Sequence, residues 1–381
     1  MKTKTKAILA VAATCSLLAS TGLRAETLRY AIGFPPGGAV TESIKEFNEK
    51  LKAETDLELK IYELSLLNLK ETPPGVRDGL ADAGYVLMPY YPAEYSESNL
   101  PANMSMLATV STPTKSSGAV MAGAMTEYIM LHCEDCQAQF TAENQLFLGA
   151  IGTPEYVQLC TKPVHTIEDI KGKKMRSSVD AMGRWAEHFG GTKVSIPAND
   201  IYEAMSQGVV DCTMISAPEL GNFQLFDVTK HITLGLPGGS FAGVGAMNIN
   251  LDTWRGLSAE QRADMLRLAP YNSAAITVNY HLAATRDIEI ARKNGTEIIE
   301  TPADMAKATE EFVKNDATVI KASFKNDFGL QNVDEKYELI AGLIERWKGL
   351  TKDVYDDKDA MTELFRTEIF SKVDPATYGM N

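Results

Sequence analysis

A short phrase used twice constrains the fold of this chain more than any other feature. Residues Gly79 to Leu87 read GLADAGYVL, and Gly208 to Ser216 read GVVDCTMIS. Each has Gly, two residues, Asp, two residues, then a large apolar pair. Asn199–Gln207 (NDIYEAMSQ), before the second copy, reads as a helix. Before the first copy, Thr72 and Pro73 suit a cap and an early helical position. The glycine of each copy suits the left-handed backbone that ends a helix. The apolar run after each Asp reads as a buried strand. One such unit in each half predicts two related α/β lobes, with strand ends from both facing one cleft.

The N-terminus predicts export. Lys2, Lys4 and Lys6 precede an apolar stretch from Ala7 to Ala19, and Leu23-Arg24-Ala25 offers a cleavage site before Glu26. The stretch is too short to span a bilayer, so residues 1–25 read as a cleaved signal peptide and the expected location is the periplasm. Ala12-Ala13-Thr14 is a poor lipobox for Cys15. The remaining chain is long enough for two cores. Removing the leader's four positive residues (Lys2, Lys4, Lys6, Arg24) takes the formal charge from −13 to −17. That balance argues against a nucleic-acid partner, which needs a basic face.

The element order is βαβ-like in the first half. Leu28–Ile32 and Leu57–Glu63 read as strands around a helix at Thr41–Glu54. Tyr85–Met88 reads as a strand end followed by an aromatic loop, Pro89–Tyr95. Further strands are expected at Leu146–Ile151, Tyr156–Cys160, Lys173–Ser177, Ala246–Asn250 and Thr296–Glu300. Asp180–Phe189 reads as a helix. Ser258 to Gln261 form a capping box that opens a helical region. Pro270 is expected to kink or split that region, with a long helix over Asn272–Lys293. The expected architecture is an α/β two-lobe periplasmic binding-protein fold with chain crossovers near Ile151, near Gly239 and along the long helix. Lobe I is expected over 26–152 plus 240–280, and lobe II over 153–239 plus 281–381.

Four cysteines follow the leader: Cys133, Cys136, Cys160 and Cys212. An even count in an oxidising compartment allows two disulfides in three connectivities. Cys133 and Cys136 have CxxC spacing, readable as a redox site or a structural bridge. Glu134 and Asp135 between them oppose a stabilised thiolate, which favours structure. His132 lacks the partners for a four-ligand zinc site. There is no P-loop, GxSxG elbow, HExxH or strand-linked GxGxxG. No cofactor, metal or catalytic residue is therefore expected, and a binding protein is the stronger class. A secreted two-domain α/β lyase or hydrolase is the competing one, and it needs a general base in the cleft.

Three segments carry a resemblance. TIEDIKGKKMRS (Thr166–Ser177) resembles the "(L)xDLKGxKxR" segment of TRAP-transporter solute receptors, the DctP-like family. NDIYEAMSQGVVD (Asn199–Asp211) is similar to that family's "xEVYxALQxGxVDG". LLNLKETPPGVRDGLADAGYVL (Leu66–Leu87) with YYPAEY (Tyr90–Tyr95) looks like a subgroup of it. The resemblance implies a secreted receptor that captures a small organic solute. It also implies delivery to the membrane permease subunits of a TRAP transporter driven by an ion gradient. The family's carboxylate-pairing arginine matches Arg176, whose guanidinium offers two parallel donors to two carboxylate oxygens.

The departures from the family's sialic-acid receptors lie in the pocket. Their second arginine is matched by Tyr156, their asparagine by Ile215, and the glycine of VDG by Cys212. The implied pocket is apolar and aromatic. Phe34, Tyr85, Tyr90, Tyr91, Trp185 and Phe241 are wall candidates, by strand-end position or by the resemblance. Tyr156 and Asn199 are candidates to orient the ligand, and Asp180 is a neighbour. Two ligand classes fit: a small apolar or aromatic monocarboxylate, and a zwitterion such as a betaine or dimethylsulfoniopropionate, its methylated cation on tyrosine faces. A C4-dicarboxylate is the alternative, weakened by the missing second arginine.

Overall fold

The computed structural model describes residues 25–110 and 115–380, so the expected signal peptide over 1–25 lies outside the described residues except for Ala25. The described strands are β1 (Glu26–Ile32), β2 (Leu57–Glu63), β3 (Ala83–Leu87), β4 (Gln145–Phe147), β5 (Tyr156–Cys160), β6 (Lys174–Arg176), β7 (Thr192–Val194), β8 (Cys212–Ser216), β9 (His231–Thr233), β10 (Val244–Asn250) and β11 (Glu297–Ile299). They form two sheets. The first has the order β2-β1-β3-β10-β4 and the second β11-β9-β5-β8-β6-β7. In the first, β1 is parallel to β2 and β3, while β10 runs antiparallel to β3 and β4. In the second, β5 is antiparallel to β8 and β9, while β6 is parallel to β7 and β8. The chain crosses between sheets from β4 to β5, from β9 to β10 and from β10 to β11. This is the two-lobe architecture with crossovers that the sequence predicts.

The repeated phrase turns out to be a repeated turn into an interior strand. Gly79 and Gly208 both have positive φ, +75° and +71°, with open space where a Cβ would stand. The strands that follow, β3 and β8, are interior to their sheets. Asp82 accepts the backbone N–H of Arg29 in neighbouring β1 at 2.7 Å, and Asp211 accepts that of Lys174 in neighbouring β6 at 2.9 Å. Each cation reaches back to the carbonyl of the phrase's glycine, Arg29 to Gly79 and Lys174 to Gly208. The Asp thus pins a central strand to its parallel neighbour, and the glycine makes the turn into that strand.

The helix Ala39–Glu54 buries Val40, Ile44, Phe47 and Leu51, one stripe at helical spacing. It packs against β2 and against the helix Ala259–Lys293. That 35-residue helix is continuous, so Pro270 does not split it. The lost backbone bond is outweighed by packing. Pro270 is buried, Tyr271 donates to Glu46 Oε1 at 2.5 Å, and Asn279 donates to Ser43 Oγ at 2.8 Å. Ser258 and Gln261 form the expected capping box at its start. The helix touches both β10 and β11 and so ties the two sheets together.

β6 and β11 are each one residue shorter at both ends than expected, and β4 is cut back further. β4 ends at Phe147 because Gly149 takes φ +95°, and pairing resumes only as a bridge between Ala150 and Gly245. The cysteines pair as Cys133–Cys136 and Cys160–Cys212. The second bond joins directly opposed residues of β5 and β8. All four sulfurs belong to buried residues.

Candidate functional site

The carboxyl ends of the central strands of both sheets meet at one small cavity of about 30 Å3. The phrase's two copies lead directly into it. Beyond Asp82, β3 and the turn after it bring Tyr85, Leu87 and Tyr90. Beyond Asp211, β8 and its turn bring Ile215, Glu219 and Phe223. Tyr90 and Glu219 stand at the same offset, eight residues past their Asp. Phe34 and Leu69 close the first-lobe side, Tyr156 and Arg176 the second, and Phe241 stands beside Tyr156. Tyr280 of the long helix closes the back.

The walls are aromatic. Phe34 stacks on Phe223 with centroids 5.0 Å apart and meets Tyr85 edge-on at 5.4 Å. Tyr156 and Phe241 are parallel within 4° at 6.5 Å. Burial raises the pKa of the phenols of Tyr85, Tyr90, Tyr156 and Tyr280, so they stay protonated at neutral pH.

Arg176 is the fixed cation of the cavity. β6 delivers it from the sheet end, and its relative exposure is 0 %. Its Nε and Nη2 both donate to the carbonyl of Ile196 at 3.0 Å, and Nη2 lies 3.4 Å from the Tyr90 hydroxyl. Nη1 is buried with no hydrogen-bond partner. Among the described residues no carboxylate forms an ion pair with it. A buried cation with an unsatisfied donor is unfavourable until an acceptor arrives. The arrangement therefore holds one edge of a guanidinium with a neutral carbonyl and leaves donor capacity for a carboxylate.

Glu219 is the second ionisable group here. It is 4 % exposed. It accepts from Tyr280 OH at 2.9 Å and from Asn222 Nδ2 at 3.0 Å. Burial pushes its carboxyl up to about 7, against the pull of those two hydrogen bonds and of Arg176. Among the described residues it too forms no ion pair. Sequence reading missed it in a chain crowded with carboxylates, although the shared offset with Tyr90 points to it. Phe223 and Tyr280 were also missed. Tyr280 comes from a helix far away in sequence, which only tertiary packing brings here.

Of the residues singled out from sequence, Phe34, Tyr85, Tyr90, Tyr156, Arg176, Ile215 and Phe241 line the cavity together. The other four lie outside it. Trp185 is buried behind it, donating to Thr309 Oγ1 and packing on Phe189. The amphipathic helix Asp180–His188 turns that ring toward the C-terminal helices. Asp180 pairs with Lys193 at a separate hollow that also has Tyr90 in its wall. Tyr91 donates to the Lys70 carbonyl. Asn199 ties the two lobes: its Nδ2 donates to Gly33 O at 2.9 Å and its Oδ1 accepts from Leu69 N at 3.2 Å. Asn222 makes a second tie, accepting from Ala39 N at 2.9 Å.

Comparison with known proteins agrees with this geometry. Residues 35–325 match the family described as bacterial extracellular solute-binding protein, family 7, DctP. A solute-binding protein of Albidiferax ferrireducens is 23 % identical over 342 residues, covering 82 % of this chain and 93 % of that one. Among solved structures, a TRAP periplasmic solute-binding protein of Bordetella bronchiseptica with bound (R)- and (S)-mandelate is 21 % identical. It covers 84 % of this chain and 99 % of its own, with a TM-score of 0.67. The periplasmic ectoine-binding protein of a Halomonas elongata TRAP transporter is 15 % identical, covering 84 % and 100 %, with a TM-score of 0.71. At these identities the structures speak for the fold, and the family match spans most of the chain. With its two lobes and its cavity at the strand ends, the chain belongs to the DctP family of TRAP-transporter solute-binding receptors.

Proposed function

We propose that this receptor works in the periplasm, closes on a small carboxylate-bearing solute between its lobes, and hands it to the permease subunits of a TRAP transporter. The observation that carries the reading is the Arg176 guanidinium, fully buried in an aromatic cavity, with Nη1 unpartnered and no ion pair among the described residues. A ligand carboxylate completes its donor set, and the rings enclose the rest of the solute. Arg176 is the one cationic side chain in the cavity lining. A C4-dicarboxylate would thus place its second carboxylate without a counter-charge, beside Glu219. That argues for one carboxylate per ligand. Asn199, Asn222 and Tyr90 bond across the cleft and hold the closed state.

A thermal-shift screen with small monocarboxylates, dicarboxylates and their amides tests this reading. A ligand at a hundred times its dissociation constant stabilises by about 2.7 kcal/mol. Monocarboxylates should raise the melting temperature, and the matching amides should not. An amide that shifts as far as its acid contradicts the role of Arg176. Turnover of a bound compound would instead support the secreted-enzyme reading.

A further inference from the structure

We propose that Glu219 is the specificity-determining residue of the cavity, and that it selects a zwitterion whose alkylated cation sits between its carboxylate and the rings of Phe34, Phe223 and Tyr85. This rests on the carboxylate reading of Arg176 and adds the other end of the ligand.

Three observations carry it. First, Arg176 and Glu219 line one small cavity yet form no ion pair with each other, so two groups of opposite charge are buried and held apart. A plain monocarboxylate satisfies Arg176 but brings a negative charge toward Glu219. A zwitterion answers both groups at once, which burial makes the favourable solution. Second, Glu219 is fixed by Tyr280 and Asn222, one donor to each carboxylate oxygen. A carboxylate has about four lone-pair sites, so acceptor capacity remains toward the cavity. Third, the walls nearest Glu219 are the rings of Phe34, Phe223 and Tyr85, and Glu219 is the one carboxylate in the lining. A quaternary or ring-embedded cation has few N–H groups or none, and it gains from aromatic faces.

The charged and titratable groups around Glu219 are Arg176, Asp287, which is paired with Arg286, and the phenols of Tyr85, Tyr90, Tyr156 and Tyr280. The phenols are held well above neutral pH by burial. Between pH 6 and 8 the carboxyl of Glu219, raised by burial to about 7, is therefore the cavity group that changes charge. Its ionised form receives a cation. Its protonated form tolerates a monoanion.

Matched pairs of probes test this by calorimetry. Glycine betaine and 3,3-dimethylbutyrate have the same shape and differ in the cation, as do proline and cyclopentanecarboxylate. The zwitterion of at least one pair should bind at least tenfold more tightly than its partner at pH 8. That preference should grow from pH 6 to 8, and Glu219→Gln should reduce it to less than threefold. The wild-type ratio and its pH course do not depend on how the variant folds. Equal or tighter binding of the uncharged-tail partners overturns the proposal, as does a preference unchanged in Glu219→Gln. Failure of both zwitterions to bind overturns it too. Benzoate binding that is lost in Arg176→Ala in the same series would then leave the carboxylate reading standing. Its persistence in Arg176→Ala would remove both.

Discussion

Arg176 and Glu219 were unequally visible in the sequence, and the reason is physical. An arginine at the end of a predicted strand, in a segment that resembles the family's KGxKxR motif, stands out even beside Lys171, Lys173 and Lys174. A glutamate among fifty acidic residues does not, and its burial depends on Tyr280 from a distant helix. Trp185 shows the opposite failure, since its helix is legible but the direction of one side chain is set by what packs behind it. Glu219 also carries a stability signature. Its folded-state pKa is raised from 4.5 to about 7, so the folded protein keeps a proton that the unfolded chain releases. Stability from this group is full below about 4.5 and is lost as pH rises through about 7. At one pKa unit per 1.36 kcal/mol, the loss is on the order of 3 kcal/mol. In urea titrations of the ligand-free protein, stability relative to Glu219→Gln should fall between pH 5 and 8. A difference that stays flat with pH rules this out.

At the scale of elements, the repeated phrase was legible because it encodes a local device. Its glycines and aspartates act within one turn and one neighbouring strand. Gly79→Ala and Gly208→Ala should each destabilise by about 1–2 kcal/mol, through the positive φ alone, because no atom crowds either position. Asp82 is drawn upward by burial, but the Arg29 hydrogen bonds and charge outweigh that and hold its carboxyl below the usual range. Its contribution is present above the unfolded pKa and disappears as pH falls through the folded one. Asp82→Asn should therefore lose clearly more stability at pH 7 than at pH 3, measured by denaturant unfolding. An equal loss at both would show that charge is not what Asp82 supplies. The elements misjudged from sequence are those decided by contacts. The helix through Pro270 survives on its packing against Ala39–Glu54, and β4 stops where Gly149 turns away.

Across the whole molecule, the two lobes and their crossings follow from the order of strands and the single long helix. The ties across the cleft do not. Asn199 reads as a pocket residue in the sequence, but it bonds Gly33 and Leu69 on the opposite lobe. Its proposed effect on affinity is therefore through closure, and a ligand pays for any shortfall in the closed population. Losing hydrogen bonds of about 1 kcal/mol each, Asn199→Ala should weaken every ligand by a similar factor of about five to thirty. Small-angle scattering of the ligand-free variant should show a larger mean radius than wild type. A change in ligand preference, with the radius unchanged, would place Asn199 at the ligand instead.

In the proposed binding mode the unpartnered edge of the buried Arg176 guanidinium anchors the solute. Calorimetry of wild type and Arg176→Ala tests it most directly, using whichever acid gives the largest thermal shift. A charged hydrogen bond contributes about 1.5–3 kcal/mol, so the variant should bind at least tenfold more weakly, with circular dichroism confirming its fold. Undiminished affinity for the acid in a folded Arg176→Ala protein would contradict the account.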